Sequence, residues 1–200
     1  MAIVSPGFFG RARSEDSGLP SGQYLTRDFP VLSTGPTPEV SHTDWEFRIE
    51  TEDGSQHRWD WAELQSLSFE DVHTDIHCVT RWSKLGTSWR GVSLDTLFAG
   101  VQTSAGYALQ HAVGGYTTSI ALADLLGGKA WLVTEYEGAP LEAEHGGPAR
   151  LVVPHLYFWK SAKWIQSITL HTEAQQGFWE QNGYHPLGDP WREQRYEYDS

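Results

Sequence analysis

A chain of 200 residues and 22.5 kDa can bury the core of one domain without disulfides or a structural metal, and its ten Trp, eight Tyr and eight Phe exclude a disordered segment. Fourteen Lys and Arg against 26 Asp and Glu give a formal charge of −12, which repels nucleic acid and anionic lipid and excludes a general polyanion partner. The single Cys excludes an intrachain disulfide and any CxxC redox or zinc motif.

Met1 to Pro20 lacks the unbroken apolar stretch of a signal peptide, and no window approaches the roughly 18 apolar residues of a membrane span, so the expected location is the cytoplasm. The polar stretch of residues 10–22 predicts an N-terminal arm over 1–22, followed by one domain over 23–200, with further punctuation at Ser33–Pro38. Trp45, Phe47, Ile49 and Thr51 alternate with charged residues, the period of a half-buried strand, and Asp53-Gly54 supplies a hairpin turn. Asp60 and Glu63 form a capping-box pattern that opens a short helix through Leu67. Val72, Thr74, Ile76 and Cys78 share one strand face, with His73, Asp75 and His77 on the other, so Cys78 sits where an apolar strand leaves the core.

Ser93 caps a helix through Phe98, Tyr107–Ala112 reads as a strand, and Gly114-Gly115 turns the chain into a strand over Tyr116–Ile120. A short helix at Ala121–Leu126, a strand at Lys129–Tyr136 and a turn at Gly138–Pro140 follow. Leu151–Val153 and Trp164–His171 are two more strands around an irregular connection, and the tail Gly177–Ser200 has too many Gly, Pro and rings for a regular helix. Short strands and short helices without a βαβ rhythm predict an α+β domain of mixed β-sheets.

The GxSxG, HExxH, P-loop and GxGxxG signatures are all missing. From Arg150 to Ile168 there is no Asp or Glu, while Arg150, Lys160 and Lys163 fall close together. Such a window can hold an anion through guanidinium, ammonium and loop N–H donors, and three neighbouring surface cations are an equally good account of it. Cys78 has two readings as well. Packing is the commoner role of a lone Cys on an apolar face, and metal ligand or nucleophile is the other. Zinc is poorly served, because His73 and His77 would face away from Cys78, and nothing selects a His as base for a cysteine nucleophile.

The segment HCVTRWSKLGTSWRGVSLDTLF, His77 to Phe98, resembles the cysteine segment of the sulfite oxidase family of molybdopterin enzymes. RLVVPHLYFWKSAKWIQSITL, Arg150 to Leu170, is similar to that family's Arg, apolar strand, Pro and Lys-containing loop. GFWEQNGYHPLGDPWREQRY, Gly177 to Tyr196, resembles the end of the catalytic domain in the compact bacterial branch. The resemblance runs from about Arg27 to Tyr196 and implies the sulfite oxidase catalytic-domain fold.

It also implies a molybdenum cofactor, Mo-molybdopterin, with Cys78 as the thiolate on the metal, a soft ligand beside the pterin's own dithiolene sulfurs. Arg150, Ser161, Ala162 and Lys163 fall where family members hold the pterin and its phosphate, with Lys160 in support and His145 at a pterin-bonding position. Arg27-Asp28-Phe29-Pro30-Val31 is similar to the Arg-x-x-Pro-Val element that closes over the cofactor. Tyr116 resembles the active-site Tyr; Val79-Thr80-Arg81-Trp82 lacks the Arg pair that sulfite oxidases place after their Cys, with Arg81 as its partial substitute.

The implied activity is oxygen-atom transfer to or from a small sulfur- or nitrogen-containing substrate, with Arg27 and Arg81 as cations for an anionic one. No haem domain or second β-sandwich accompanies the match, so the resemblance implies a separate electron-transfer protein, a flavin or iron–sulfur reductase, docking a basic face on this acidic surface. The contrasting readings are a non-catalytic molybdopterin- or anion-binding module, and a plain interaction domain with a buried inert Cys.

Overall fold

The computed structural model describes residues 18–199; the predicted arm falls mostly on residues 1–17, outside the described residues. In chain order the strands are β1 (Tyr24–Leu25), β2 (Glu46–Glu50), β3 (Gln56–Asp60), β4 (Glu70–His77), β5 (Trp82–Ser93), β6 (Tyr107–Ala112), β7 (Thr117–Ala121), β8 (Trp131–Tyr136), β9 (Ala139–Pro140), β10 (Arg150–Val152) and β11 (Ile165–His171). Three short α-helices accompany them: α1 (Trp61–Gln65), α2 (Leu94–Phe98) and α3 (Phe178–Gln181). One sheet runs β1-β5-β8-β10, with β4 also on β5 and β9 on β8; the other runs β3-β2-β11-β6-β7. β1 lies parallel to β5 and β11 parallel to β2, the remaining pairs being antiparallel, so both sheets are mixed.

Local chemistry accounts for the elements that the pattern predicts. In β2, Phe47 and Ile49 are buried and Glu46 faces outward, the alternation expected of a strand covered on one side. α1 opens on a complete capping box: Glu63 N–H donates to the Asp60 carboxylate at 2.8 Å, and Asp60 N–H donates to Glu63 at 2.9 Å. The helix expected at Ala121–Leu126 is a single 3₁₀ turn, Leu122–Asp124.

Two elements depart from the sequence reading. β5, twelve residues long, falls where no strand is predicted; Gly86 adopts φ +64° within it, and Ser, Thr and Lys dilute its apolar period. His77 is buried, against the expectation that it faces outward. The ladder between β4 and β5 shifts register after Thr74, the Trp191 ring covers His77 at 5.9 Å, and the Ser83 hydroxyl bonds its Nδ1 at 2.8 Å.

The main apolar cluster joins the two sheets through Phe47, Ile49, Val92, Leu132, Leu151, Ile165 and Ile168, with Leu94 and Leu97 of α2. A second, smaller cluster of Val72, Ile76, Cys78, Trp82, Trp89, Val133, Leu141 and Val152 lies on the other face of the first sheet, with Phe29 and Phe158 packed on it. That second cluster floors the site. Among the described residues no helix is long and apolar enough to cross a membrane.

Candidate active site

Against the smaller cluster lies a cavity of about 320 Å³ whose wall includes Cys78, Tyr116, Phe29, His145, Arg150, Ser161 and Lys163. Residues far apart in sequence thus share one space.

At one end the chain passes from β4 to β5 through the four-residue loop Cys78–Arg81. Cys78 N–H donates to the Trp82 carbonyl at 2.8 Å and Arg81 N–H donates to the Cys78 carbonyl at 2.9 Å. Arg81 sits at φ +78°, a left-handed conformation that a residue with a Cβ adopts at some cost. The turn leaves Cys78 only 7% exposed, its Sγ accepting from the Thr80 hydroxyl at 3.1 Å. Burial pushes the Cys78 thiol up, opposed by the Thr80 hydrogen bond and by the positive charge of Arg195.

The other end carries the charge. Arg150, at the start of β10, is 2% exposed, and its guanidinium lies 4.1 Å over the Phe158 ring while donating to the carbonyls of His145 and Ser161, both at 2.8 Å. Lys163 donates to the carbonyls of Leu32 and Glu144, each at 2.9 Å. Burial, then the neighbouring Arg150 charge, pull Lys163 down to about 8. Gly146, at φ +110°, is what lets these two cations pack together, since a Cβ there would stand 2.9 Å from Lys163 Cβ and 3.1 Å from Arg150 Cβ. His145 stacks on Phe29 at 4.0 Å, and burial followed by the Arg150 charge lowers its pKa, which keeps it neutral. Among the described residues neither Arg150 nor Lys163 has a carboxylate within ion-pair distance. A buried cation without a counter-ion is costly, and an anionic ligand removes that cost.

Tyr116 lies between the ends, its hydroxyl donating to the Trp159 carbonyl at 2.6 Å. Burial and the Glu180 charge hold its pKa far above the usual phenol range, so it remains a donor.

Five residues singled out by sequence do not line the cavity. The side chains of Arg27 and Asp28 are exposed, and Arg27 offers its carbonyl to Lys84. Arg81 is exposed on the turn beyond Cys78. Ala162 is buried in the loop before β11, its N–H donating to Gln110 at 3.1 Å. Lys160 is fully buried and bound to Glu180, with further bonds to the carbonyls of Ser119 and Pro186, each at 2.7 Å; every donor is taken. The cations left on the cavity wall without a counter-ion are therefore Arg150 and Lys163, and Lys160 is a structural tie.

Sequence reasoning missed the aromatic wall: Trp82, Trp159, Trp164, Trp179 and Tyr184. The visible signal was the density of rings on either side of the acid-free window. The indole N–H groups of Trp82 and Trp159 are buried without a protein partner in residues of this wall, which leaves both open to an acceptor that enters the cavity. A soft sulfur, two uncompensated cations, ring surfaces and unmet donors around one cavity fit a ring-bearing anionic cofactor with a thiolate-bound metal. Exposed Glu142 and Glu144 with the half-buried His145 also have metal-ligand spacing, but they stand against these two cations, which repel a metal ion.

Comparisons with known proteins agree with that reading. Residues 34–179 match the family model described as the oxidoreductase molybdopterin binding domain. The chain is 43% identical over 205 residues to the uncharacterised oxidoreductase YuiH of Bacillus subtilis, covering 96% of this chain and all of that one. It is 32% identical over 169 residues to YedZ1 of Azospira oryzae, named as a candidate protein-methionine-sulfoxide reductase subunit, covering 82% of this chain and 64% of that one. In structure it resembles the sulfane dehydrogenase SoxCD of Paracoccus pantotrophus with a TM-score of 0.62 and 18% identity, over 69% of this chain and 41% of that one, a likeness of fold. The chain belongs to the oxidoreductase molybdopterin binding domain family, has the mixed-sheet fold of the sulfite oxidases, and is an oxidoreductase of that kind.

Proposed function

We propose that the protein transfers an oxygen atom to or from a small sulfur- or nitrogen-containing substrate, with Cys78 as the protein's thiolate on molybdenum. The observation that carries this is the joint presence, in one cavity, of Cys78 Sγ and the uncompensated pair Arg150 and Lys163. Arg150 and Lys163 hold the anionic end of the cofactor, His145, Phe29 and Ser161 line its ring system, and Trp82 and Trp159 give it hydrogen bonds. When bound, the cofactor supplies the two-electron oxygen-transfer chemistry.

This chain's own residues do the rest. The turn after β4 directs the sulfur, the aromatic wall excludes water, and Tyr116 stays neutral with its one O–H held by the Trp159 carbonyl, its oxygen left to accept. With Arg27 and Arg81 turned away and Arg195 behind the turn on two backbone carbonyls, no cation lines the sulfur end of the wall among the described residues, which favours a neutral oxide over sulfite. The name of YedZ1 is in keeping with a sulfoxide. Electrons pass to or from a separate carrier; a net charge of −12 suits a partner with a basic face, and YedZ1 is itself named as a subunit.

The test is metal and pterin analysis of protein made in a molybdate-replete, cofactor-competent host, followed by assays of sulfoxides, N-oxides and sulfite with an artificial electron carrier. Stoichiometric molybdenum and pterin with turnover of one oxide class are expected. Protein with no molybdenum ends the reading, and loaded protein inert to every class leaves a binding module in its place.

A further inference from the structure

The turn that presents Cys78 is held from outside by the C-terminal segment. Arg195 is 6% exposed; its Nη1 donates to the Val79 carbonyl at 2.6 Å, its Nη2 to the Ser21 carbonyl at 3.3 Å, and the guanidinium lies 4.9 Å over the Tyr157 ring. No carboxylate among the described residues pairs with it. The backbone around it is fixed: His185 N–H donates to the Arg195 carbonyl at 3.1 Å, Glu197 N–H to Gly183 at 3.0 Å, and Arg195 N–H to the Asp199 carboxylate at 2.8 Å. Tyr184 and Tyr196 close the same loop as an isolated antiparallel bridge, and Tyr184 reaches the cavity wall.

Ser21 and Arg195 both lie beyond residues 34–179, the stretch matched to the family. We propose that Arg195 is a positioning residue for Cys78, its guanidinium fork tying the sulfur-bearing turn to two segments outside that stretch. This role rests on Cys78 being the cofactor ligand.

The physical need is plain in the turn itself. Its four residues include one in the left-handed region, so the loop has a backbone preference for relaxing. Val79 offers a carbonyl at the apex, and a charge-assisted bond from a buried guanidinium is stronger than one from water or a neutral donor. A planar fork reaches two carbonyls in different segments at once, which an ammonium on a flexible stem does not reproduce.

Arg195→Lys and Arg195→Met test this with two readouts. In cofactor-free protein, hydrogen exchange in the peptide spanning residues 78–83 is expected to quicken at least about tenfold in both variants, with β6 and β11 unchanged. In loaded protein, the electron paramagnetic resonance signal of the Mo(V) state, which reports the direction of the cysteine sulfur, is expected to be shifted or split. The Lys variant keeps the charge and a buried polar head, so it carries the test if the Met variant fails to fold. Either readout staying at its wild-type value in Arg195→Lys overturns the proposal; faster exchange with an unshifted signal makes Arg195 a tie for stability alone. Wild-type protein that holds no molybdenum removes the cofactor reading and this role with it, whereas molybdenum in the wild type with unaffected variants leaves that reading intact.

Discussion

Two buried cations ten residues apart, Arg150 and Lys160, do opposite jobs. Lys160 is enclosed with its own counter-ion, Glu180, and two carbonyls, and Thr118 adds a hydroxyl to the same carboxylate at 3.2 Å; the group ties α3 and the tail to β7. Arg150 has carbonyls and rings around it and no carboxylate among the described residues. A charge that brings its counter-ion is part of the fold, and a charge left without one on the wall of a cavity is placed to meet a ligand.

The sharpest way to break this contrast is to remove each cation in turn. Lys160→Met leaves Glu180 buried and alone, and unfolding free energy is expected to fall by about 3–5 kcal/mol in denaturant titrations. Lys160→Met with Glu180→Leu should recover most of it. A loss under about 1 kcal/mol in the single variant would show that the pair contributes little to the fold. Arg150→Met leaves no orphan charge, so cofactor-free stability is expected to change by less than about 2 kcal/mol, the scale of the carbonyls left unpaired. Cofactor retention should fall at least about 100-fold, equivalent to about 2.7 kcal/mol. Full retention of molybdenum by Arg150→Met would erase the distinction.

Lys163 sharpens the comparison through pH. Its folded pKa of about 8 lies below the ordinary 10.5, so between those values the unfolded chain holds a proton that the folded chain has lost. Stability of the cofactor-free protein therefore rises with pH over that window, while cofactor affinity declines above about 8 as one cation of the clasp is neutralised. Lys163→Met should flatten both trends, and an unchanged alkaline profile would place Lys163 outside the clasp. The smallest effect belongs to a carboxylate at the surface. Glu52 is held at about 2 by Thr103 and then the Ser104 N–H, so its contribution is present above 4.5 and lost as pH falls towards 2. Glu52→Gln should lower stability slightly at pH 7 and converge with the wild type as pH falls towards 2, with cofactor content unchanged.

Sequence made legible what is chemically rare. One Cys at the end of an apolar strand face and one acid-free window in an acidic chain located both ends of the cavity, and the capping box and Asp-Gly turn located α1 and the β2–β3 hairpin. What it hid was tertiary pairing. Nothing local separates Lys160 from Lys163, because the carboxylate that claims Lys160 lies twenty residues on, in a tail with little regular structure. Arg27 and Arg81 were expected to meet the substrate, yet their neighbours Phe29 and Cys78 line the cavity while they point to solvent, a matter of turn geometry that spacing does not reveal. β5 was lost for a similar reason, its period broken by Gly86 and by polar residues that only the finished sheet buries.

The central claim is that Cys78 binds molybdenum in this cavity. X-ray absorption at the molybdenum edge, on wild-type and Cys78→Ser protein from the same cofactor-competent host, addresses it directly. The account predicts one fewer sulfur neighbour of the metal in Cys78→Ser, with an otherwise intact fold. An identical sulfur shell in the two proteins would contradict it.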